Sequence, residues 1–119
     1  MDSVLSTQSF KIMDWHRGEY TISTERGRLD LHVIHRFISE ESYWGKGRPL
    51  EVVRKAVENS VPFGVYRGDE LVGFARVVTD YATFAWLADV FVLPEHRGRG
   101  LSKWLMEVDR KSTRLNSSH

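Results

Sequence analysis

The sequence predicts one α/β (α+β) domain, a mixed, mostly antiparallel central sheet flanked by helices, and three observations carry that reading. Two amphipathic helical stretches, 31–41 and 50–60, stand between one short β-type run and a block of three. The three later runs are joined by tight turns, Arg67-Gly68-Asp69-Glu70 and Asp80-Tyr81-Ala82, so they pair antiparallel without crossovers. A length of 119 residues permits a single core and leaves no room for a second domain.

Taken in order, residues 1–18 show no sustained period and are read as an irregular segment. Tyr20-Thr21-Ile22-Ser23-Thr24 alternates large apolar with hydroxyl residues, the pattern of a strand with one buried face. Glu25 to Arg28 turns the chain. Asp30 is an N-cap residue, and Leu31, Val33, Ile34, Phe37 and Ile38 form an apolar stripe for a helix ending near Glu41. His32 and His35 lie three apart on it; without a nearby cysteine, helix-surface or partly buried histidines explain them better than a metal site. The loop Ser42-Tyr43-Trp44-Gly45-Lys46-Gly47-Arg48 sets two aromatics beside glycines. Tyr43 and Trp44 either contact a substrate or merely cover the end of the core, and both readings stand.

Pro49 suits a first helical turn, and Leu50, Val52, Val53, Ala56 and Val57 supply the second helix, which Val61-Pro62 ends. Phe63 to Tyr66 and Leu71 to Thr79 make a hairpin. Thr83 to Leu93 reads as the longest strand, apolar on both faces and therefore central in the sheet, with Asp89 as its one charge.

The strand runs into Pro94-Glu95-His96-Arg97-Gly98-Arg99-Gly100-Leu101-Ser102-Lys103, and Leu101, Trp104, Leu105 and Val108 follow at helical spacing. Where a strand enters a helix through glycines, the first helical N–H groups have no internal partner and converge on one spot. Gly98 and Gly100 allow positive φ and close approach, and Arg97, Arg99 and Lys103 add positive charge, so the ligand expected is a phosphate or pyrophosphate. A Walker loop would require Gly-Lys followed by Ser or Thr. A dinucleotide fingerprint would require glycine where Lys103 stands. Arg-Gly segments that bind nucleic acid come as repeats in polar surroundings, and this one is single and flanked by apolar residues. An ordinary structural turn with solvated arginines is the remaining alternative.

On these residues the chain resembles the GNAT-type N-acetyltransferases, whose acyl-coenzyme A signature is Arg or Gln, two residues, Gly, one residue, then Gly or Ala. Here Arg97 and Gly100 match, and Ser102 replaces the small apolar residue at the last position. The resemblance runs from about Tyr20 to Val108. It implies that the backbone of Val90, Phe91 and Val92 pairs with the pantetheine arm of acetyl-CoA, and that Arg97, Gly98, Arg99, Gly100, Leu101, Ser102 and Lys103 hold the pyrophosphate. It also implies an acetyl group passed from acetyl-CoA to a primary amine of a small molecule or to a free α-amine, and it is compatible with a homodimer. Acidic residues near the acceptor recur in the family, which makes Asp89 the candidate proton acceptor or amine anchor. In many relatives that acid stands one residue earlier, at the place of Ala88. The alternative for Asp89 is a structural pair with Arg76 of the adjacent strand, and the alternative for the whole chain is a non-catalytic acyl-CoA-binding module.

Composition narrows the classes. A formal net charge of +1 shows no global field for nucleic acid or an anionic membrane, and the absence of cysteine removes disulfides, thiol nucleophiles and thiolate metal sites. No metal is expected. With neither a leader-like start nor an apolar run of spanning length, a cytoplasmic protein is expected, with no membrane partner. Residues 19–109 are read as a partial acetyltransferase domain. Residues 110–119 have no period and no core content and resemble tails from translated adapter sequence; the family's later strands, and the tyrosine acid on its later helix, are expected to be missing, leaving Thr83 to Leu93 with an open apolar edge and the fragment inactive.

Overall fold

The computed structural model describes residues 11–112. Residues 1–10 and 113–119, which hold most of the expected irregular segment and polar tail, lie outside them. Five strands form one sheet in the order β1 (Asp14–Arg17), β2 (Tyr20–Ser23), β3 (Val61–Arg67), β4 (Glu70–Thr79) and β5 (Ala85–Val92), every neighbouring pair antiparallel. Helices α1 (Leu31–Arg36) and α2 (Leu50–Glu58) follow β2, and α3 (Leu101–Ser112) follows β5.

The sheet separates two apolar layers. On one face Ile34, Phe37, Ile38, Val53 and Val57, from α1, its continuation and α2, pack on Tyr66, Leu71, Phe74 and Phe91. On the other face Leu101, Trp104, Leu105 and Val108 of α3 pack on Ile22, Phe63, Val65, Val72, Ala75 and Val92. Burying these side chains is the main stabilising contribution, about 1.5–3 kcal/mol for each large one. Asp30 does cap α1, its Oδ1 accepting from Val33 N at 3.2 Å, and the helix continues as a wider π turn over Phe37–Glu41. The C-terminal end of α2 is closed from a distance: Arg26 donates from Nη1 to Val57 O at 2.7 Å and from Nη2 to Ser60 O.

Four readings from the sequence are corrected. Residues 14–17 form a strand rather than irregular chain. Their two-residue connection Gly18-Glu19, with Gly18 at φ +60, makes a tight hairpin with β2, and the strand's polar residues hid it. Val61 and Pro62 open β3 instead of merely ending the preceding helix. The longest strand is β4 with 10 residues. Thr83 to Leu93 shortens to the eight residues of β5 and is not covered on both faces, since Phe84, Trp86 and Leu87 are exposed; it is paired on one side only, by β4, the open apolar edge expected where the family's next strand is missing. Finally, α3 runs to Ser112, three residues into the stretch read as foreign tail, and buries Asp109 on the way.

Candidate active site

Strand β5 is broken in phase at Asp89. Its register with β4 shifts between Phe74 and Arg76, and Asp89 sits at φ +54, a left-handed conformation that is costly for a residue with a Cβ. Such a conformation persists only when its surroundings hold it. Here they do. Asp89 Oδ2 accepts from Arg76 Nε at 2.7 Å and from Arg48 Nη1 at 3.2 Å, while Oδ1 accepts from Trp44 Nε1 at 2.9 Å. Burial pushes the Asp89 carboxyl up, but the hydrogen bond and charge of Arg76, the charge of Arg48 and the Trp44 hydrogen bond outweigh it and hold it below the usual carboxylate range.

The cluster ties three segments together. Arg76 Nη1 also donates to Ser60 Oγ at 2.9 Å, at the end of α2. His35 Nε2–H donates to the Arg48 carbonyl at 3.0 Å, so one of the two helix histidines fixes the loop. Phe37 stacks on Phe91 with centroids 4.2 Å apart and lies 6.4 Å from the Trp44 ring, closing the apolar side of the cluster. Trp44 is therefore half engaged in structure, whereas Tyr43 stands 91% exposed. Arg76 was foreseen as a partner for Asp89. Arg48 was not, because 41 residues separate it from the carboxylate it meets and no local pattern marks it.

Beyond Asp89 the strand delivers the chain into the glycine turn. Val92 lies opposite Gly73, Phe91 opposite Phe74, and a short turn over Pro94–His96 leads into Arg97. Gly98 and Gly100 take φ +80 and +76, and a Cβ added at either would find open space, so their outer sides are clear for a ligand. The first helical hydrogen bond of α3 runs from Trp104 N to Gly100 O at 3.1 Å. The N–H groups of Leu101, Ser102 and Lys103 come before it, with no backbone partner among the described residues. Arg99, Ser102 and Lys103 are exposed around them.

Arg97 behaves differently from the other basic residues of the turn. Its Nε donates to the Val92 carbonyl at 2.8 Å, so the side chain is folded back onto the end of β5. His96, buried beside it, is hydrogen-bonded through Nδ1 to the Tyr20 hydroxyl at 3.0 Å, which pins the start of the turn to β2. Among the described residues no group of three or more His, Cys, Asp or Glu is placed to hold a metal ion, and no helix is long and apolar enough to cross a membrane.

The model of the Acetyltransferase (GNAT) family matches residues 11–108. A candidate acetyltransferase of Gibberella zeae is 32% identical over 117 residues, covering 82% of this chain and 66% of that protein. An N-acetyltransferase of Prochlorococcus marinus is 34% identical over 100 residues, covering 79% of this chain and 54% of that protein. The chain thus spans between about half and two thirds of these curated relatives. Among solved structures, a candidate acetyltransferase of the GNAT family from Xanthomonas campestris pv. campestris superposes with a TM-score of 0.77 at 48% identity, over 81% of this chain and 68% of that one.

Proposed function

The chain belongs to the acetyltransferase (GNAT) family, and on that premise we propose that it moves an acetyl group from acetyl-CoA to a primary amine, either of a small molecule or a free α-amine. The observation that carries the donor half is the glycine turn: Gly98 and Gly100, at positive φ, lead into α3, whose first N–H groups, those of Leu101, Ser102 and Lys103, have no backbone partner among the described residues. That arrangement suits a pyrophosphate. The pantetheine arm extends back along the open edge of β5 at Val90, Phe91 and Val92, which brings the thioester to the bulge at Asp89. Arg97 shapes the turn by holding the end of β5, while Arg99 and Lys103 contribute charge.

Transfer then needs the amine nitrogen to attack the thioester carbonyl. The C–N bond forms, the C–S bond breaks, the nitrogen gives up one proton and the departing thiolate takes one. Asp89 is a weak base for this proton, because three donors engage it and its affinity for protons is lowered. We assign it instead to orienting the acceptor loop, so that the proton leaves to water. Tyr43 and Trp44 form the acceptor side. The test is calorimetry with acetyl-CoA together with thiol release in the presence of primary amines. Amine-dependent release supports transfer. Affinity without release in a version extended through the family's later strands and tyrosine-bearing helix points to the alternative, a non-catalytic acyl-CoA-binding module.

A further inference from the structure

The cluster at the bulge does not balance its own charge. Arg48 and Arg76 both pair with Asp89, and among the described residues no other carboxylate pairs with either. Two guanidinium charges against one carboxylate leave one positive charge. It is not a solvated surface charge: the side chains of Arg48, Arg76 and Asp89 are 23%, 17% and 6% exposed. A partly buried, uncompensated charge is costly to maintain and attracts an anion more strongly than one in open water.

Arg48 is the member with capacity left. Arg76 spends Nε on Asp89 and Nη1 on Ser60 Oγ, whereas Arg48 makes its side-chain contacts through Nη1 alone. It is also held in place beforehand. His35 fixes its carbonyl, and its guanidinium lies across Gly45, where an added Cβ would come within 3.0 Å of Nη2. A pre-oriented guanidinium with free N–H groups is suited to a planar oxyanion. A single negative charge neutralises the cluster. A doubly charged phosphate would reverse its sign.

We propose that the acceptor is an amine that also carries a carboxylate, and that Arg48 binds that carboxylate beside the Asp89 bulge. The word acceptor rests on the acetyl-transfer reading above; carboxylate binding at Arg48 does not. The experiment uses the full chain and matched ligands, glycine, β-alanine and 4-aminobutyrate against their carboxamides, titrated by calorimetry with and without CoA. At a pH of about 6.5 the amines of both series are largely protonated, so the pairs differ chiefly in the carboxylate.

The acids bind at least about tenfold more tightly than the amides in at least one pair, the scale of one charge-assisted hydrogen-bonded contact. Arg48→Gln brings that ratio close to one. Arg48→Lys, which keeps the charge without the fork, lowers it by about threefold or more and decides the matter if the Gln variant does not fold. Equal binding of acids and amides, no binding of either, or a ratio that survives the Arg48 substitutions overturns the proposal. Acetyl-CoA binding and thiol release by the wild-type chain report separately on transfer. Release with amides as readily as acids leaves transfer standing and removes the carboxylate. Acid-selective binding without acetyl-CoA affinity does the reverse.

Discussion

The glycine turn follows the strand that carries Asp89, yet the turn and the Asp89 cluster are built in opposite ways. The turn is made of backbone: positive φ at Gly98 and Gly100 and the open end of α3, all within one continuous stretch. The cluster is made of four side chains from three places, Trp44 and Arg48 of the loop before α2, Arg76 of β4 and Asp89 of β5, with Ser60 behind them. A site of the first kind tolerates changes of side chain and fails when the backbone cannot adopt its path. A site of the second kind depends on each partner, because removing one leaves the others partly buried and unpaired.

The largest effect is expected where backbone conformation is touched. Gly100→Val puts a β-branched residue at φ +76, a region such residues hardly enter, on the side left clear for ligand. Acetyl-CoA affinity measured by calorimetry should fall by about a hundredfold or more, the size of a few kcal/mol. A folded Gly100→Val protein with wild-type affinity would break the assignment of the turn.

Next comes the carboxylate. Asp89→Ala strands two partly buried guanidinium groups and should cost about 2–3 kcal/mol in chemical denaturation, less than for a fully buried pair because some solvent reaches them. Asp89→Gly removes the same charge but accepts φ +54, so it should lose about 1 kcal/mol less. If Ala and Gly are indistinguishable, the bulge is not strained. The pH dependence follows from the lowered folded pKa: the stabilisation from Asp89 is fully present above the unfolded carboxylate value, near about 4, and is lost as pH falls through the lower folded value. Asp89→Asn should lack that part of the acid loss. A smaller change, Trp44→Phe, deletes one hydrogen bond to the carboxylate and should cost about 1 kcal/mol.

The same contrast explains how much could be read from residues alone. The helices were legible because their stripes are local, as Leu31, Ile34 and Ile38 show, and the Asp30 cap was legible because its partner is three residues away. The glycine turn was legible for the same reason. β1 was hidden, since Asp14, His16 and Arg17 carry little apolar signal and its evidence is pairing with β2. The apolar length of Thr83 to Leu93 suggested a strand covered on both faces, but apolar residues also line the exposed half of β5, at Trp86 and Leu87, and sequence does not distinguish covered from open. Arg48 carried no signal at all. Its meaning arises only when the α1–α2 loop folds over the bulge.

The smallest expected effects separate the two arginines of the turn, and they ask whether its charges act as ligands or as structure. Arg99 is exposed and makes no side-chain hydrogen bond or ion pair among the described residues, so it can act on a bound pyrophosphate through charge alone. Arg99→Ala should weaken acetyl-CoA binding about threefold at low salt, and the loss should fade as ionic strength rises and the Debye length shrinks. Arg97 instead holds the Val92 carbonyl at 2.8 Å, at the point where β5 ends and the turn begins. Arg97→Gln removes the charge and keeps a donor that can reach the same carbonyl, whereas Arg97→Ala removes both. If Arg97 shapes the turn, Ala should weaken binding by about threefold more than Gln, and that difference should persist at high salt, because a short hydrogen bond is screened far less than an exposed charge. Calorimetry across a salt series on the three variants distinguishes the cases. Equal losses for Arg97→Gln and Arg97→Ala that vanish with salt would make Arg97 a second Arg99, and the turn would then be shaped by its glycines without help from the strand it follows.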